Sequence, residues 1–407
     1  MIRKNNGFSK LTVDLVLIEH ATAFGGAERH TVELIHALQQ KGFRIAFIES
    51  GQSVVSSRIC TSGSNITVIS TQLSMSPSSK EEILAWKTLL QTFKTDRVLI
   101  VKQTYSTGSA KFFKLLKTTF KKVLSIEHST VLPRNKWSSR VHFNRHVRSG
   151  LWWYREYFAL KRRSTLVDHV ITVSNFNKLS LIENALIPSD RITTCPNGID
   201  TNFWRKEPEK AREFRRRFNI PDDALLFGCV GRLTPEKGFE LAVDAFKKIH
   251  KDGGPNNSYL IIIGEGKLRN ELESHARDSN GTILFAGFLN ELVPAYSAMD
   301  IGLFTSHHEK FWCGESFGLA LIEAMSCECG VIAMSKGATT EVIGERADVC
   351  ELLGTRDVDA WSVAMRKYAG ISKNVLSERG AKLRKHVIEH YDVSSTNPRL
   401  IEAVMTV

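Results

Sequence analysis

Residues 11–50 read LTVDLVLIEHATAFGGAERHTVELIHALQQKGFRIAFIES, and this stretch decides the fold that we predict. The apolar run LTVDLVLI (11–18) predicts a strand, and a loop with Gly25 and Gly26 follows it. Apolar residues then recur at helical spacing until Gly42, and RIAFIES (44–50) predicts the next strand. A strand, a glycine-bearing turn, a helix and a second strand in this order begin a doubly wound parallel sheet.

The same alternation continues along the chain and then restarts. In the first half, further strands are predicted at 65–70, 97–102, 122–128 and 169–174, with helices at 80–94 and 109–120. The turn-rich PNGID (196–200) interrupts the series. Strands are then predicted at 224–233, 258–266, 282–289, 300–306 and 330–335, with helices at 238–251, 267–278 and 317–328. We therefore predict two α/β domains, 1–200 and 201–385, and a helical tail (386–407) that packs back on the first domain.

Composition and cysteine usage indicate a soluble intracellular protein. The 407 residues are 42% hydrophobic, which suffices for two cores. The seven cysteines form no CxxC pair, and Cys327 and Cys329 are too close for a zinc knuckle. The start MIRKNNGFSK is not followed by a signal-peptide core, and no apolar run approaches transmembrane length. We expect a cytoplasmic protein with reduced thiols.

The segment GESFGLALIEAM (314–325) carries the strongest chemical signal. Glu315 precedes a predicted helix and Glu323 lies about two turns inside it. The free N–H groups at a helix N-terminus suit a diphosphate, while the two carboxylates can accept hydrogen bonds from sugar and ribose hydroxyls. The alternative is an acid that stabilises the helix dipole plus one surface glutamate.

A second signal lies in VGRLTPEKGFELAVDAF (230–246). Arg232 and Lys237 flank a turn that contains Pro235, between a strand and a helix. Two cations on such a loop can neutralise a departing diphosphate. Ordinary surface ion pairing is the alternative interpretation.

Two weaker signals lie in the first half. In FGGAERH (24–30), Gly25 and Gly26 allow close approach of backbone to a ligand, although such loops often only turn the chain. In SIEHST (125–130), His128 ends a predicted strand, where a parallel sheet meets its ligands. A structural histidine is the alternative.

Taken in order, these segments resemble the family-four retaining glycosyltransferases (glycosyl transferases group 1, GT-B fold). The matching motifs extend from residue 11 to about 345: GGAER, HVITVSNFNK, PNGID, VGRLTPEKGF, IIGEGKLRNELE, FAGFL and ESFGLALIEAM. The resemblance implies two Rossmann-like doubly wound parallel-sheet domains that face each other across a cleft. Domain 1–200 would serve the acceptor and domain 201–385 the nucleotide-sugar donor.

The resemblance also implies roles for single residues. Gly25 and Gly26 match the loop near the donor phosphates and acceptor, and His128 the histidine that contacts the transferred sugar. Arg232 and Lys237 match the pair that binds the diphosphate. The remaining matches are Glu315 at the sugar hydroxyls, Phe317, Gly318 and Leu319 over the phosphates, Glu323 at the ribose, and Gly287, Phe288 and Leu289 as a wall near the base. The loop HHEKFWCGES (307–316) is longer and more aromatic than usual, and SCECG (326–330) replaces the usual small-residue turn.

The function that this resemblance implies is retaining transfer of a hexose or related sugar from a UDP- or GDP-sugar to a glycan or lipid-linked acceptor. Cell-surface polysaccharide, lipopolysaccharide or glycolipid synthesis is the expected setting. No metal or other cofactor is expected, and the single D-x-D, Asp357 to Asp359, is interpreted as a helix N-cap. The alternatives are a GT-B-like sugar-nucleotide epimerase, a phosphorylase, or a catalytically silent nucleotide-sugar-binding subunit.

The net charge of +12 directs attention to residues 134–163. This segment contains nine Lys or Arg and the single acid Glu156. Interleaved with them are the aromatic side chains of Trp137, Trp152, Trp153, Tyr154, Tyr157 and Phe158. Such a composition suits an anionic membrane surface, which would place the protein peripherally on the inner face of the cell membrane. A basic helix that packs its aromatic residues on its own domain is the alternative. No nucleic-acid-binding module is recognisable, so no nucleic-acid partner is expected.

Overall fold

The computed structural model describes residues 10–21, 25–51, 54–59, 65–102, 108–130, 158, 161–162, 164–254, 257–279, 281–307, 314–344 and 349–407. The basic segment 134–163 therefore lies almost entirely outside the described residues, and its predicted membrane role stays a prediction. The chain divides into two compact units, residues 1–196 with 397–407, and residues 197–396. No helix in the described part of the chain is long and apolar enough to cross a membrane.

The first unit is built on a seven-stranded sheet in which every neighbouring pair is parallel. The strands of this unit are β1 (Leu11–Thr12), β2 (Leu15–Ala21), β3 (Ile45–Gly51), β4 (Ile66–Thr71), β5 (Phe93–Lys94), β6 (Arg97–Lys102), β7 (Lys122–Glu127), β8 (His169–Thr172) and β9 (Ile192–Thr194). The sheet order is β4-β3-β2-β6-β7-β8-β9, and β1 pairs separately with β5. The reversal of order between β2 and β6 is the mark of a doubly wound sheet.

Helices cover both faces of this sheet. They are α1 (Gly26–Gln40), α2 (Lys80–Leu90), α3 (Ala110–Thr119) and α4 (Asn175–Ala185). One core packs α2 and α3 around Trp86 and Phe112, which are fully buried. The opposite core packs α1 through Leu34, Ile35 and Leu38. The apolar spacing that predicted α1 is thus the face that it buries.

The second unit has a six-stranded parallel sheet of order β12-β11-β10-β13-β14-β15. Its strands are β10 (Leu225–Val230), β11 (Ser258–Ile263), β12 (Ile283–Gly287), β13 (Ile301–Phe304), β14 (Gly330–Met334) and β15 (Cys350–Leu353). Its helices are α5 (Pro208–Arg217), α6 (Phe239–Lys251), α7 (Arg269–His275), α8 (Val293–Ala298), α9 (Leu319–Ser326), α10 (Thr339–Ile343), α11 (Val358–Ala369) and α12 (Lys373–Tyr391). The order reverses between β10 and β13, so the loops after these two strands lie side by side.

The end of the chain returns to the first unit. The predicted boundary of the tail at 385/386 falls inside α12, which continues to Tyr391, and the units divide at 396/397. In the last helix, α13 (Val393–Thr406), Leu400 and Val404 are buried in the core that packs α1. The Arg97 guanidinium donates hydrogen bonds to the Val404 carbonyl at 3.3 Å and the Val407 carbonyl at 2.7 Å.

Candidate active site

Hydrogen bonds hold the turn that carries Lys237 at the point where the strand order of the second sheet reverses, between β10 and β13. After β10 the chain forms a short 3-10 turn, Pro235–Lys237. From the end of β13, the Thr305 hydroxyl donates to the Lys237 carbonyl at 2.7 Å, and the His307 N–H donates to the Glu236 carbonyl at 3.0 Å. Sequence reasoning did not identify Thr305 or His307, because their role depends on which strands are neighbours.

Lys237 and Glu315 form an ion pair, with 2.8 Å between Nζ and Oε2. Their side chains are 21% and 24% exposed, so the pair is shielded yet open to a ligand. Burial alone raises the pKa of Glu315. The charge and hydrogen bond of Lys237, the Ser306 side chain and the charge of Arg232 outweigh it, so the pKa lies below its usual value. Glu315 is therefore an ionised hydrogen-bond acceptor at neutral pH.

Arg232 is a largely exposed cation close enough for its charge to act on Glu315. Its side chain is 78% exposed, and its Nη2 lies 3.9 Å from Glu236 Oε1. An exposed pair at this distance holds a side chain only weakly. The guanidinium is therefore available to an anion.

The backbone of Glu315 is fixed by close contact with the loop after β14. The Ala338 N–H donates to the Glu315 carbonyl at 2.7 Å. Gly337 has φ +67°, and a Cβ added there would lie 2.4 Å from the same carbonyl oxygen. Only glycine fits a left-handed position with so little space. This loop contact too was not predicted.

The segment Phe317–Leu319 leads into α9, which begins at Leu319, two residues after the predicted start at Phe317. Gly318 adopts φ +100° and precedes the helix, and a Cβ there would lie 3.3 Å from Glu315 Cγ. The Leu321 N–H donates to the Gly318 carbonyl at 3.0 Å. The N–H groups of Leu319 and Ala320, at the first two helical positions, have no acceptor within the helix, so they can bind an anion. The Phe317 ring is buried against the Tyr391 ring, with 5.6 Å between centroids, which anchors the segment.

Glu323 lies in the second turn of α9 and is 3% exposed. The Tyr296 hydroxyl lies 3.4 Å from its Oε2 atom, a long hydrogen bond. A carboxylate that is this buried needs polar partners, and Tyr296 is one of them. Nothing in the sequence around Tyr296 singled it out.

The residues Gly287, Phe288 and Leu289 lie at the end of β12, three strands along the sheet from β13. Phe288 is 68% exposed, which is unusual for a large apolar side chain. The Gly264 N–H donates to the Gly287 carbonyl at 2.9 Å, and a Cβ on Gly264 would lie 1.9 Å from the Gly231 carbonyl. Close backbone contacts therefore link this segment to the loop that carries Arg232. The Lys237–Glu315 pair lies further along the same edge of the sheet, at the carboxyl ends of β10 and β13.

In the first unit, Gly25 and Gly26 open α1, and His128 directly follows β7. The Gly25 N–H donates to Glu28 Oε2 at 2.9 Å, so an acid of the helix's own first turn already occupies this donor. The His128 ring packs edge to face on His30, with 5.1 Å between centroids. Burial, and then the charge of His30, hold the pKa of His128 well below its usual value, so its imidazole is neutral.

The D-x-D behaves as predicted at its first position. Asp357 is the N-cap of α11 and accepts a hydrogen bond from the Ala360 N–H at 3.0 Å. Asp359 forms an ion pair with Lys248 at 3.1 Å. Asp357 therefore caps the helix, whereas Asp359, 70% exposed, forms a surface ion pair.

Comparison with known proteins covers both halves of the chain. The family described as Glycosyltransferase Family 4 matches residues 24–203, and the family described as Glycosyl transferases group 1 matches residues 210–373.

Among curated relatives, the O-antigen biosynthesis glycosyltransferase WclY of Escherichia coli is 32% identical over 165 residues, 39% of this chain and 43% of that protein. A GDP-mannose-dependent alpha-(1-6)-phosphatidylinositol monomannoside mannosyltransferase of Mycolicibacterium smegmatis is 27% identical over 213 residues, 51% of this chain and 54% of that protein. The matched region spans about half the length of these relatives.

Solved structures match over nearly the whole chain. A glycosyltransferase from Rickettsia africae has a TM-score of 0.75 at 19% identity and covers 98% of this chain and 99% of its own. Anabaena Alr3699/HepE in complex with UDP-glucose has a TM-score of 0.75 at 15% identity and covers 97% of this chain and all of its own. These likenesses concern the fold. With two Rossmann-like parallel-sheet units and both family matches in order, the chain belongs to the family-four glycosyltransferases of the GT-B type.

Proposed function

We propose that this protein is a retaining glycosyltransferase that moves a hexose or related sugar from a UDP- or GDP-sugar to a glycan or lipid-linked acceptor. The observation that carries the proposal is the convergence of Lys237, Glu315 and the start of α9 at the edge of the second sheet. A cation, an ionised acid and free N–H groups in one place suit a sugar diphosphate. The relatives that act in O-antigen and glycolipid synthesis support the same kind of acceptor.

In the proposed reaction, the bond between the anomeric carbon and the diphosphate oxygen breaks while the acceptor oxygen attacks from the same face. The acceptor proton passes to the departing phosphate oxygen. Lys237, Arg232 and the N–H groups of Phe317–Leu319 stabilise the charge that develops on the diphosphate. Glu315 and Glu323 accept hydrogen bonds from the sugar and the ribose, and Gly287–Leu289 line the base. No protein nucleophile and no metal ion is assigned a role.

The residues of the first unit keep the roles that their motifs imply. His128 contacts a hydroxyl of the transferred sugar through a neutral imidazole, which can donate or accept a hydrogen bond. Gly25 and Gly26 offer close backbone approach to phosphates and acceptor.

The donor is identified by thermal shift with a panel of UDP-, GDP- and ADP-sugars, because a ligand that binds the folded state raises the midpoint. With that donor, Lys237→Ala and Glu323→Ala are expected to lower transfer by about 100-fold or more. Lys385→Ala, at an exposed ion pair on α12, is the matched control and retains full activity. The product is expected to keep the anomeric configuration of the donor. Donor binding without any transfer would identify a silent binding subunit, and full activity of either variant would refute the assigned site.

We also propose that the basic segment 134–163 holds the protein at an anionic membrane. The test replaces five cations of this segment with alanine and measures sedimentation with phosphatidylglycerol vesicles; the positions are Arg148, Arg155, Lys161, Arg162 and Arg163. The unsubstituted protein is expected to sediment with the vesicles at low salt but not at high salt, and the variant is expected not to sediment with them. Equal binding by both proteins would contradict this proposal.

A further inference from the structure

The ring of His128 has an aromatic neighbour that none of the motifs assigns a role. His30 lies near the start of α1, is 5% exposed, and packs its ring against His128 at 5.1 Å between centroids and 77° between planes. This edge-to-face geometry is the one that aromatic rings prefer. The contact joins the first turns of α1 to the end of β7.

The backbone next to His128 is fixed by a hydrogen bond, but its ring is not. The Asn177 side-chain amide donates to the Glu127 carbonyl at 2.9 Å and so holds the backbone directly before His128. The Nε2 atom of His128 is buried, and no residue that the structure describes forms a hydrogen bond with it. Rotation of an imidazole about its last side-chain bond is broad, so a ring without such a bond needs packing to fix its plane. His30 supplies that packing.

His30 is itself an unusual choice for packing alone. Its Nδ1 atom is buried with no hydrogen-bond partner among the described residues. A buried polar atom without a partner is unfavourable, and leucine would fill a similar volume without this cost. Burial lowers the pKa of His30 to about 4, so at neutral pH no charge repulsion opposes the ring contact.

We propose that His30 is a positioning residue that fixes the ring plane of His128 and leaves Nε2 free for a sugar hydroxyl. The inference rests on the proposed function, in which His128 contacts the transferred sugar. It predicts that the aromatic ring at position 30 is required, whereas its nitrogens are not.

The test compares His30→Phe, which keeps a ring, with His30→Leu, which keeps apolar volume without one. His36→Leu, on the same helix, is the matched control. We expect kcat to fall about tenfold in His30→Leu with the donor KM changed less than about twofold, and to stay within about threefold of the parent in His30→Phe. Unchanged kcat in His30→Leu, or an equal loss in His30→Phe, would overturn the proposal. Thermal unfolding of each variant checks that it is folded.

A second measurement does not depend on activity. In protein labelled with ¹³C at histidine Cε1, the His128 signal is assigned with His128→Gln. Because the ring current of His30 changes the chemical shift of a neighbouring nucleus, the His128 signal is expected to shift and broaden in His30→Leu and to stay sharp in His30→Phe. An identical, sharp signal in the parent and in His30→Leu refutes the positioning role even if no donor supports transfer. Absence of transfer by the parent protein would instead count against the proposed function alone.

Discussion

Gly238→Ala tests whether the turn after β10, with its hydrogen bonds to the end of β13, positions the Lys237 side chain. Gly238 has φ +64°, a left-handed conformation, and an added Cβ would lie 2.7 Å from both the Thr305 carbonyl oxygen and His307 Nδ1. Ordinary contact begins at 3.4 Å, so the turn and the end of β13 must move apart by about 0.7 Å. This movement acts directly on the Thr305–Lys237 hydrogen bond.

Gly238→Ala should lower the free energy of unfolding for two reasons, and a control variant separates them. The left-handed backbone costs a residue with a Cβ roughly 1–2 kcal/mol, and overpacking adds roughly 1–3 kcal/mol. Gly253 has φ +73° with nothing within 4 Å of an added Cβ, so Gly253→Ala carries only the first part. We expect the free energy of unfolding to fall by about 3 kcal/mol in Gly238→Ala and by about 1 kcal/mol in Gly253→Ala.

Activity gives the sharper comparison. Displacement of Lys237 by a fraction of an ångström is expected to lower transfer by about 10- to 100-fold in Gly238→Ala, while Gly253→Ala transfers at the parent rate. Urea unfolding and initial rates with the identified donor measure both quantities. Equal stability of the two alanine variants, or full activity of Gly238→Ala, would show that this turn does not position the lysine.

Two further predictions concern the same unit. The pKa of Glu315 is lowered from 4.5 in the folded state, so its ion pair contributes stability above about pH 4.5 that is lost as the pH falls through the lowered pKa. Urea unfolding of the parent and of Glu315→Gln measures this contribution as the difference between their unfolding free energies. That difference is expected to be largest near neutral pH and to shrink in acid, and a difference that stays constant with pH would contradict the ion pair. Glu328 has φ +62° at the turn after α9, so Glu328→Gly is expected to stabilise the fold by about 1 kcal/mol, and a lower unfolding midpoint would show that the side chain matters more than the backbone strain.

The sequence predicted the elements of the fold well where periodicity was long, and less well at short irregular positions. The predicted strand 11–18 is two strands, because the Asp14 carboxylate accepts hydrogen bonds from Arg44 where the run is interrupted. The predicted helix 80–94 ends at Leu90, and the short strand β5 follows at Phe93 and Lys94. In both places a tertiary contact or strand pairing overrides the local pattern.

Motifs singled out Lys237 and Glu315, which the structure brings together as an ion pair, but not the residues that hold them. Lys237 and Glu315 are 78 positions apart, and their pairing depends on β10 and β13 being neighbours, which no local pattern encodes. Thr305, directly after β13, and Gly337, in the loop after β14, hold the backbones of Lys237 and Glu315. Their residue types are common at strand ends and turns, so only the strand order reveals their role.

The most direct test of this account is a crystal structure of the protein with the intact UDP- or GDP-sugar that raises its thermal midpoint. We expect the diphosphate oxygens within hydrogen-bonding distance of Lys237 Nζ and of the backbone N–H groups of Phe317–Leu319, with Glu323 at the ribose. A diphosphate bound elsewhere, with the Lys237–Glu315 ion pair unchanged at 2.8 Å and facing no ligand, would contradict the central claim.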